Sequence, residues 1–227
     1  MASDASIRSL DYILQLPLLQ GMSRREVFQL AEKVALHFQK HARTAVITRQ
    51  GTRCEELYLL IEGTVSCRRE SDDHTYAVSE QISAPYVFEP ENLFGMHTRY
   101  AHTIEAQTDV QMLVVGKQAV REVMFDFPTF RVNLLNALCF QVQRRDYELW
   151  KNKRSELEAK LIDFMLARCI RPAGHKDLQI KMSRLSQELG TTRLNISRLL
   201  NGLRECGLIE THREHIVIPR LEALVNR

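Results

Sequence analysis

The sequence predicts an α+β chain in three parts: a β-rich body, one long helix, and a small helical unit ending in a hairpin. Three observations carry this. Between about Phe38 and Val115, five short β-rich runs are separated by turn-formers. From Thr129 to Asn152 no Gly or Pro interrupts a helical pattern. Beyond Ser183, two amphipathic pieces meet at Gly190 and lead into a run of alternating apolar residues.

At 227 residues, 44% hydrophobic and 26% charged, the chain has the make-up of a soluble globular protein with room for a core. No window approaches 18 consecutive apolar residues, and "MASDASIRSLDY" lacks the basic start and apolar run of a secretory signal, so a cytoplasmic protein is expected. Cys54, Cys67, Cys139, Cys169 and Cys206 are odd in number and scattered, with no C-x-x-C pair. That pattern fits neither a disulfide framework nor a zinc ribbon, and predicts five reduced thiols in or near the core. Residues 151–227 hold fifteen Lys/Arg and nine Asp/Glu, a balance of +6 that leaves −3 for the first 150. An acidic front and a basic back are expected where one end meets a polyanion.

The elements follow in order. "IRSLDYILQLPLL" and "SRREVFQLAEKVAL" read as helices, the second capped by Ser23. Strands are predicted at "TAVIT", "LYLLIEGTVSCR", "TYAVSEQI", "HTIEAQ" and "VQMLVV", with "RQGT", "ESDDH" and "APYVFEPEN" as turns, the spacing of a small barrel or sandwich. "GKQAVREVMFDF" is helical, and after Pro128 the long helix would span roughly 36 Å. Leu135, Leu138, Val142, Arg145 and Leu149 fall at alternating spacings of 3 and 4, the seam of a coiled-coil dimer, imperfect at Arg145. Phe130, Leu134, Phe140 and Trp150 lie off that seam and are expected to pack on the β-rich body. Ser155 with Glu158 forms a capping box for "SELEAKLIDFMLARCI". "DLQIKM" reads as a strand.

The segment from Ser183 fits a helix-turn-helix. Leu185 and Leu189 lie four apart on the first helix, Ser186 is the small residue at the approach, and Gly190 makes the turn. Thr191 or Thr192 caps the second helix, Ile196 and Leu199 hold it inward, and Gly207 ends it. "LIETHREHIVI" adds a hairpin, a wing. Arg193, Leu194, Ser197 and Arg198 then point outward, with Asn195 alongside. Arg pairs bidentately with guanine and Asn with adenine, so the helix carries suitable groups for the major groove. Thr192 can donate to a phosphate at the helix start, and Ser183, Arg184 and His212 are expected phosphate contacts from the flanking elements.

A β-rich body, a long helix and a winged helix-turn-helix resemble the Crp-Fnr family of bacterial transcription regulators, across nearly the whole chain. "RQGTRCEELYLLIEGTVS" is similar to the family signature G-(D/E)-x(4-5)-LY-x-(I/L)-x-G-x-V, with Gly51 and Gly63 at the turns. "TTRLNISRLLNGLRECGLIE" resembles its recognition helix, with Arg193 and Arg198 on the usual DNA-contacting arginines. The resemblance implies a double-stranded β-helix (a jelly-roll-like β-roll) as sensor over residues 1–127, a dimerisation helix over 128–154 and a winged helix-turn-helix over 155–227. It further implies a homodimer on palindromic promoter DNA, partnered by RNA polymerase where it activates.

The departures from the family concern the signal. Its cyclic-AMP-binding members carry a Glu one residue after the first recognition Arg, where this chain has Leu194; an apolar side chain cannot accept from cytosine, though it can touch a thymine methyl. The nucleotide cassette F-G-E-x-x-L with its following Arg-Ser or Arg-Thr pair is replaced by "VFEPENLFGMHTRYAHT". Pro90 aligns with the Glu, Tyr100 falls near the Arg, and Gln141-Val142 aligns with the adenine-contacting pair. Cyclic AMP is therefore not the expected effector. Glu91, Arg99, Tyr100 and Gln141 remain the candidate effector-pocket residues. An iron-sulfur cluster is not expected, since its thiolates would cluster near the N-terminus. Haem through His74, His97 or His102, an apolar small molecule, or no ligand at all are the alternatives left open. The rival readings are a haem- or small-molecule-binding module acting through protein partners, and an enzyme. No Gly-rich phosphate loop, G-x-S-x-G, H-E-x-x-H or paired-carboxylate spacing supports the enzyme.

Overall fold

Local chemistry sets the first helix. Ser23 accepts from the Glu26 amide at 3.2 Å while the Glu26 carboxylate accepts from the Ser23 amide at 2.7 Å, a reciprocal cap that opens α1 (Arg24–Lys33). The computed structural model describes residues 13–33, 36–150 and 156–226. Of the first expected helix, only Ile13 and Leu14 are described as helical; the turns after them bury Leu16, Leu18 and Leu19.

Eight strands follow: β1 (His37–His41), β2 (Val46–Thr48), β3 (Glu56–Glu62), β4 (Thr64–Glu70), β5 (Tyr76–Ser83), β6 (Tyr86–Phe88), β7 (Thr103–Ala106) and β8 (Val110–Gly116). One antiparallel sheet orders β1-β8-β3-β6, with Leu59 opposite Leu113 and Tyr58 opposite Phe88. Elsewhere β2 pairs with β7. Leu57 to Leu60 and Met112 to Val115 are buried without alternation, so both faces of these strands are covered. The architecture is the predicted jelly-roll-like body, with two strands beyond the prediction. β1 is mostly polar and lacks an alternating signal. β6 lies inside the stretch read as a turn, because Pro85 and Pro90 leave it only three residues.

At Gly63, φ is +93°, and an added Cβ would lie 2.6 Å from the Asp109 carbonyl oxygen. Only glycine lets the β3–β4 turn approach β8 so closely.

After α2 (Lys117–Glu122) and a short 3-10 turn, Pro128 opens the long helix α3 (Pro128–Trp150). Phe130 and Leu134 are buried, and Asn133 Nδ2 donates to the carbonyls of Leu18 and Gln20 at 3.1 and 2.8 Å. The expectation that Phe140 and Trp150 pack on the β-rich body is corrected: both are exposed. Burial by the core extends over the first two turns of α3, and these residues lie beyond it. The cysteine expectation is corrected likewise: Cys54, Cys67 and Cys169 are buried, whereas Cys139 and Cys206 are exposed.

The remaining elements are α4 (Leu157–Leu166), β9 (Lys176–Ile180), α5 (Met182–Glu188), α6 (Arg193–Glu205), β10 (Glu210–His212), β11 (His215–Ile218) and α7 (Leu221–Val225). The Ser155 cap predicted for α4 lies outside the described residues. Two compact units emerge, and they do not divide the chain linearly: residues 66–81, the outer part of the β4–β5 hairpin, belong with residues 145–227.

In this C-terminal unit the strands order β10-β11-β9-β5. β5 pairs antiparallel with β9, from Tyr76 opposite Ile180 to Glu80 opposite Lys176. Alternation along β9 turns Lys176, Leu178 and Ile180 inward, which puts a lysine in the core. Its ammonium lies 2.7 Å from Glu80 Oε2 and donates to the Ala173 carbonyl at 2.8 Å, with side-chain exposures of 0% and 2% for Lys176 and Glu80. Glu80 also accepts from the backbone amides of Ile170 and Arg171.

Removing one partner strands the other as an unpaired buried charge. Lys176→Met is expected to destabilise the C-terminal unit by about 3–5 kcal/mol, and pairing it with Glu80→Leu to restore most of that loss. Hydrogen exchange of the β9 amides checks both. Equal destabilisation by the single and double variants would show that the charge pair is not what holds this sheet.

Candidate nucleic-acid interface and sensor site

The helix-turn-helix is fixed by its ends. The Thr192 side chain accepts from the Asn195 amide at 3.3 Å, which decides between the two threonines offered by the sequence. Thr191 has a different task, since its hydroxyl accepts from Asn195 Nδ2 at 3.1 Å. Helix α5 closes on Gly190 at φ +62°: the Gly190 amide donates to the Gln187 carbonyl and the Thr191 amide to that of Ser186. The end of α6 repeats the pattern at Gly207, whose amide donates to Arg204 while Leu208 donates to Leu203. Both are left-handed caps with paired backward hydrogen bonds, and they set where α6 starts and stops.

Helix α6 buries Ile196, Leu200 and Leu203, one face at spacings of 4 and 3. Leu199, expected beside Ile196 as the inward residue, is only partly buried, and Leu200 takes that place. Helix α5 contributes Leu185, Leu189 and the small Ser186, all buried. Its first turn starts at Met182 with Lys181 in the cap position, so Ser183 lies inside the helix.

At about 100° per residue, Leu194, Arg198, Asn201 and Glu205 lie roughly opposite the buried face. All four are exposed, as are Arg193 and Asn195, while Ser197 is half-buried. Leu194 is 59% exposed among these polar side chains. Asn201 was not singled out from the sequence; its position three residues after Arg198 on the same face was the signal that could have found it.

The flanking candidates differ in their freedom. Ser183 is exposed, and His212, on the wing strand β10, is exposed with Nε2 3.8 Å from Glu210. Arg184 is already engaged: its Nη2 lies 2.6 Å from Glu188 and 3.2 Å from Asp73.

In the N-terminal unit, the effector candidates are dispersed in role. Tyr100 is buried, its hydroxyl donating to the Glu56 carbonyl at 2.7 Å and its ring edge-on to Tyr58. Arg99 is exposed and donates to the Gly51 carbonyl at 2.6 Å. Glu91, in the 3-10 turn Pro90–Asn92, is half-buried, as is Gln141 on α3.

The organising group there is one that the sequence reading passed over. Glu89 is buried and holds a left-handed backbone (φ +48°) just before Pro90, a strained combination for a residue with a Cβ. Its carboxylate accepts from the Ala101 amide at 2.6 Å, Asn92 Nδ2 at 2.8 Å and His102 Nδ1 at 2.6 Å. Burial pushes its pKa up, but His102 and the other donors outweigh burial and hold it below the ordinary 4.5. Of the haem candidates, His102 is thus buried against Glu89, His74 bonds Glu70 at 2.9 Å, and His97 is exposed. Among the described residues no group of three or more His, Cys, Asp or Glu could hold a metal ion. No helix among them is long and apolar enough to cross a membrane.

Residues 38–127 match the model of a cyclic nucleotide-binding domain, and residues 159–227 that of a Crp-like helix-turn-helix domain. The global nitrogen regulator of Synechococcus elongatus is 24% identical over 200 residues, covering 82% of this chain and 87% of that protein. The cAMP-activated global transcriptional regulator CRP of Pasteurella multocida is 22% identical over 187 residues, covering 80% of this chain and 90% of that one. The catabolite activator protein of Thermus thermophilus shares the fold, with a TM-score of 0.53 at 20% identity, over 92% of this chain and 97% of its own. The sensor-like body and the winged helix-turn-helix are thus matched in the family's order, and the chain belongs to the Crp-Fnr family of transcription regulators.

Proposed function

We propose that the protein is a homodimeric regulator that binds a two-fold promoter site through α6 and responds to a signal in its β-roll other than a cyclic nucleotide. The observation that carries the DNA reading is the exposed face of α6. Arginines, an asparagine and an uncovered leucine project from a helix capped at both ends, where a scaffold helix would show either a solvated or a covered surface. Arg193 and Arg198 supply guanine-reading forks, Leu194 a methyl-seeking contact, and Asn195 a group for adenine. Thr192, Ser183, Arg184 and His212 supply phosphate contacts that fix register. RNA polymerase is a partner where the bound protein activates.

The dimer reading rests on α3. Leu135, Val142 and Leu149 on the predicted seam are 53%, 67% and 82% exposed in the single chain, and Phe140, Tyr147 and Trp150 widen the apolar surface. Leu138, also on the seam, is half-buried. Such a surface on one helix fits a second copy of itself.

Against a cyclic nucleotide stand two features. Pro90 has no N–H to offer a phosphate, and the Ala101 amide is taken by the Glu89 carboxylate, so an incoming phosphate would meet a buried negative charge. These residues do not fit the nucleotide. Haem or an apolar small molecule is the alternative signal; with His74 in the C-terminal unit and His102 bonded to Glu89, the exposed His97 is the haem candidate best placed in the N-terminal unit. The second reading of the protein, a sensor module acting through protein partners, lacks an account of α6.

Three measurements test these points. Sedimentation at micromolar concentration is expected to give a dimer, with Leu135→Ala loosening it by about 2–5 kcal/mol; a monomeric wild type would overturn the dimer. The bound site is expected to carry two half-sites roughly 34 Å apart, centre to centre. On it, Arg193→Ala should lose about 1–3 kcal/mol and relax preference at one base pair per half-site, while Thr192→Ala weakens every sequence alike. A matrix of each variant against all single-base operator changes reads this, and a uniform loss for Arg193→Ala would make it a phosphate anchor. Finally, Glu89→Gln should destabilise the N-terminal unit by about 1–3 kcal/mol near neutral pH. Because the folded pKa of Glu89 is lowered, its contribution is full above about 4.5 and is lost as pH falls through the folded value. Unfolding of wild type and variant should therefore converge in acid, and a gap that persists below that range would exclude the ionised carboxylate as its source.

A further inference from the structure

Arg184 is one of the side chains that the DNA reading places at the phosphate backbone, yet in this structure it faces two carboxylates. One, Glu188, is its neighbour on α5. The other, Asp73, comes from the turn between β4 and β5, over a hundred residues away in sequence, within the same compact unit. That turn is built to present Asp73. Its Oδ1 accepts from the hydroxyls of Ser71 and Thr75, both at 2.7 Å, and from the Thr75 amide at 3.2 Å, leaving Oδ2 for Arg184. The bonds from Ser71 and Thr75, with the Arg184 charge as a smaller contribution, bring the Asp73 pKa down to about 2, so the group is ionised at physiological pH.

Arg184 itself is poorly served there. One nitrogen, Nη2, faces both carboxylates, while Nε is buried with no acceptor among the described residues. A guanidinium edge is matched by two oxygens of one acceptor, such as a phosphate, that engage two of its nitrogens in parallel. The present contact leaves that geometry unused. Tyr76, against whose ring the guanidinium rests at 5.9 Å, helps to keep it in place.

We propose that the tip of the β4–β5 hairpin is a strap on the DNA-binding unit, in which Asp73 holds Arg184 away from a DNA phosphate and its release raises DNA affinity. This rests on the reading of α5 and α6 as a DNA-binding element. The strap has a fixed root and a weak tip. Its root is the five-residue pairing of β5 with β9, anchored by the buried Glu80–Lys176 pair. Its tip is a pair with side-chain exposures of 47% for Asp73 and 32% for Arg184, which solvent weakens. The tip therefore tunes affinity over a small range. Since β4 starts and β5 ends within the N-terminal unit, the same two strands give a signal there a covalent route to Asp73.

The test measures the affinity of the full-length protein for one selected operator duplex across a salt series. Asp73→Asn keeps an Oδ1 acceptor for the turn and removes the charge facing Arg184. It should tighten binding about two- to fivefold at low salt, and steepen the slope of log affinity against log salt by about one phosphate contact for each subunit. Arg184→Gln should weaken binding modestly, and the double variant should behave as Arg184→Gln alone. Asp72→Asn, which removes an equal charge from the same turn, controls for the general field and should do less than Asp73→Asn. The proposal is overturned if Asp73→Asn changes neither affinity nor slope, if its gain survives in the double variant, or if Asp72→Asn matches it. If the wild type and all variants fail to bind any duplex at low salt, the DNA-binding reading fails first and the strap falls with it.

Discussion

One buried charge pair ties the sheet of the C-terminal unit to its register. β9 alternates inward at Lys176, Leu178 and Ile180, and β5 brings Glu80 opposite Lys176. A slip of one residue would turn the lysine outward and leave Glu80 buried without its cation. Charge burial of this kind contributes little net stability compared with an apolar pair, but it makes wrong registers expensive. The winged helix-turn-helix is consequently assembled from two separated stretches of chain: Val78, from β5, lies in the same buried cluster as Leu178, Leu185 and Ile196. The recognition helix is held on a sheet that includes β5, from the β4–β5 hairpin far earlier in the chain.

That origin explains what the sequence could and could not reveal. The helix-turn-helix was legible because its determinants are local: a capping threonine, a glycine at each helix end, and apolar residues at helical spacing. The long helix was legible for the same reason, an unbroken run without Gly or Pro, and Leu135, Val142 and Leu149 are exposed along it. The pairing of β5 with β9 has no local signature, because "TYAVSEQI" and "DLQIKM" read as strands without naming their partners. Nor does a lysine at the start of a strand announce burial, since it usually marks a solvated edge. β6 was hidden between two prolines, and Glu89 stood beside Pro90 as one more acidic residue in a loop.

Glu89 shows how a site can be rebuilt without leaving a motif. Its left-handed backbone costs on the order of 1–2 kcal/mol, and a persistent strain of that size needs local compensation. The compensation is visible in three donors that converge on its carboxylate: the Ala101 amide, Asn92 and His102. On the proposed reading, a loop organised around a negative group of its own would disfavour a second anion. The signal proposed for the N-terminal unit would then be neutral or apolar, or a contact that disturbs the Glu89–His102 pair itself.

How such a signal would reach DNA is constrained by what can move. The caps of α6 and the buried face of Ile196, Leu200 and Leu203 bind that helix to its own unit, so changes within α6 are disfavoured relative to changes around it. Arg193 and Arg198 lie five residues apart, about 140° round the helix, and cannot both face one base step. Base reading therefore depends on how the whole helix enters the groove, and in the proposed homodimer that pose would depend on how the two copies pair. The apolar surface exposed along α3 is broader than a single seam, so the proposed pair would have more than one packing open to it. In the proposed pair, a change in how α3 packs on its copy would need no rearrangement inside either DNA-binding unit.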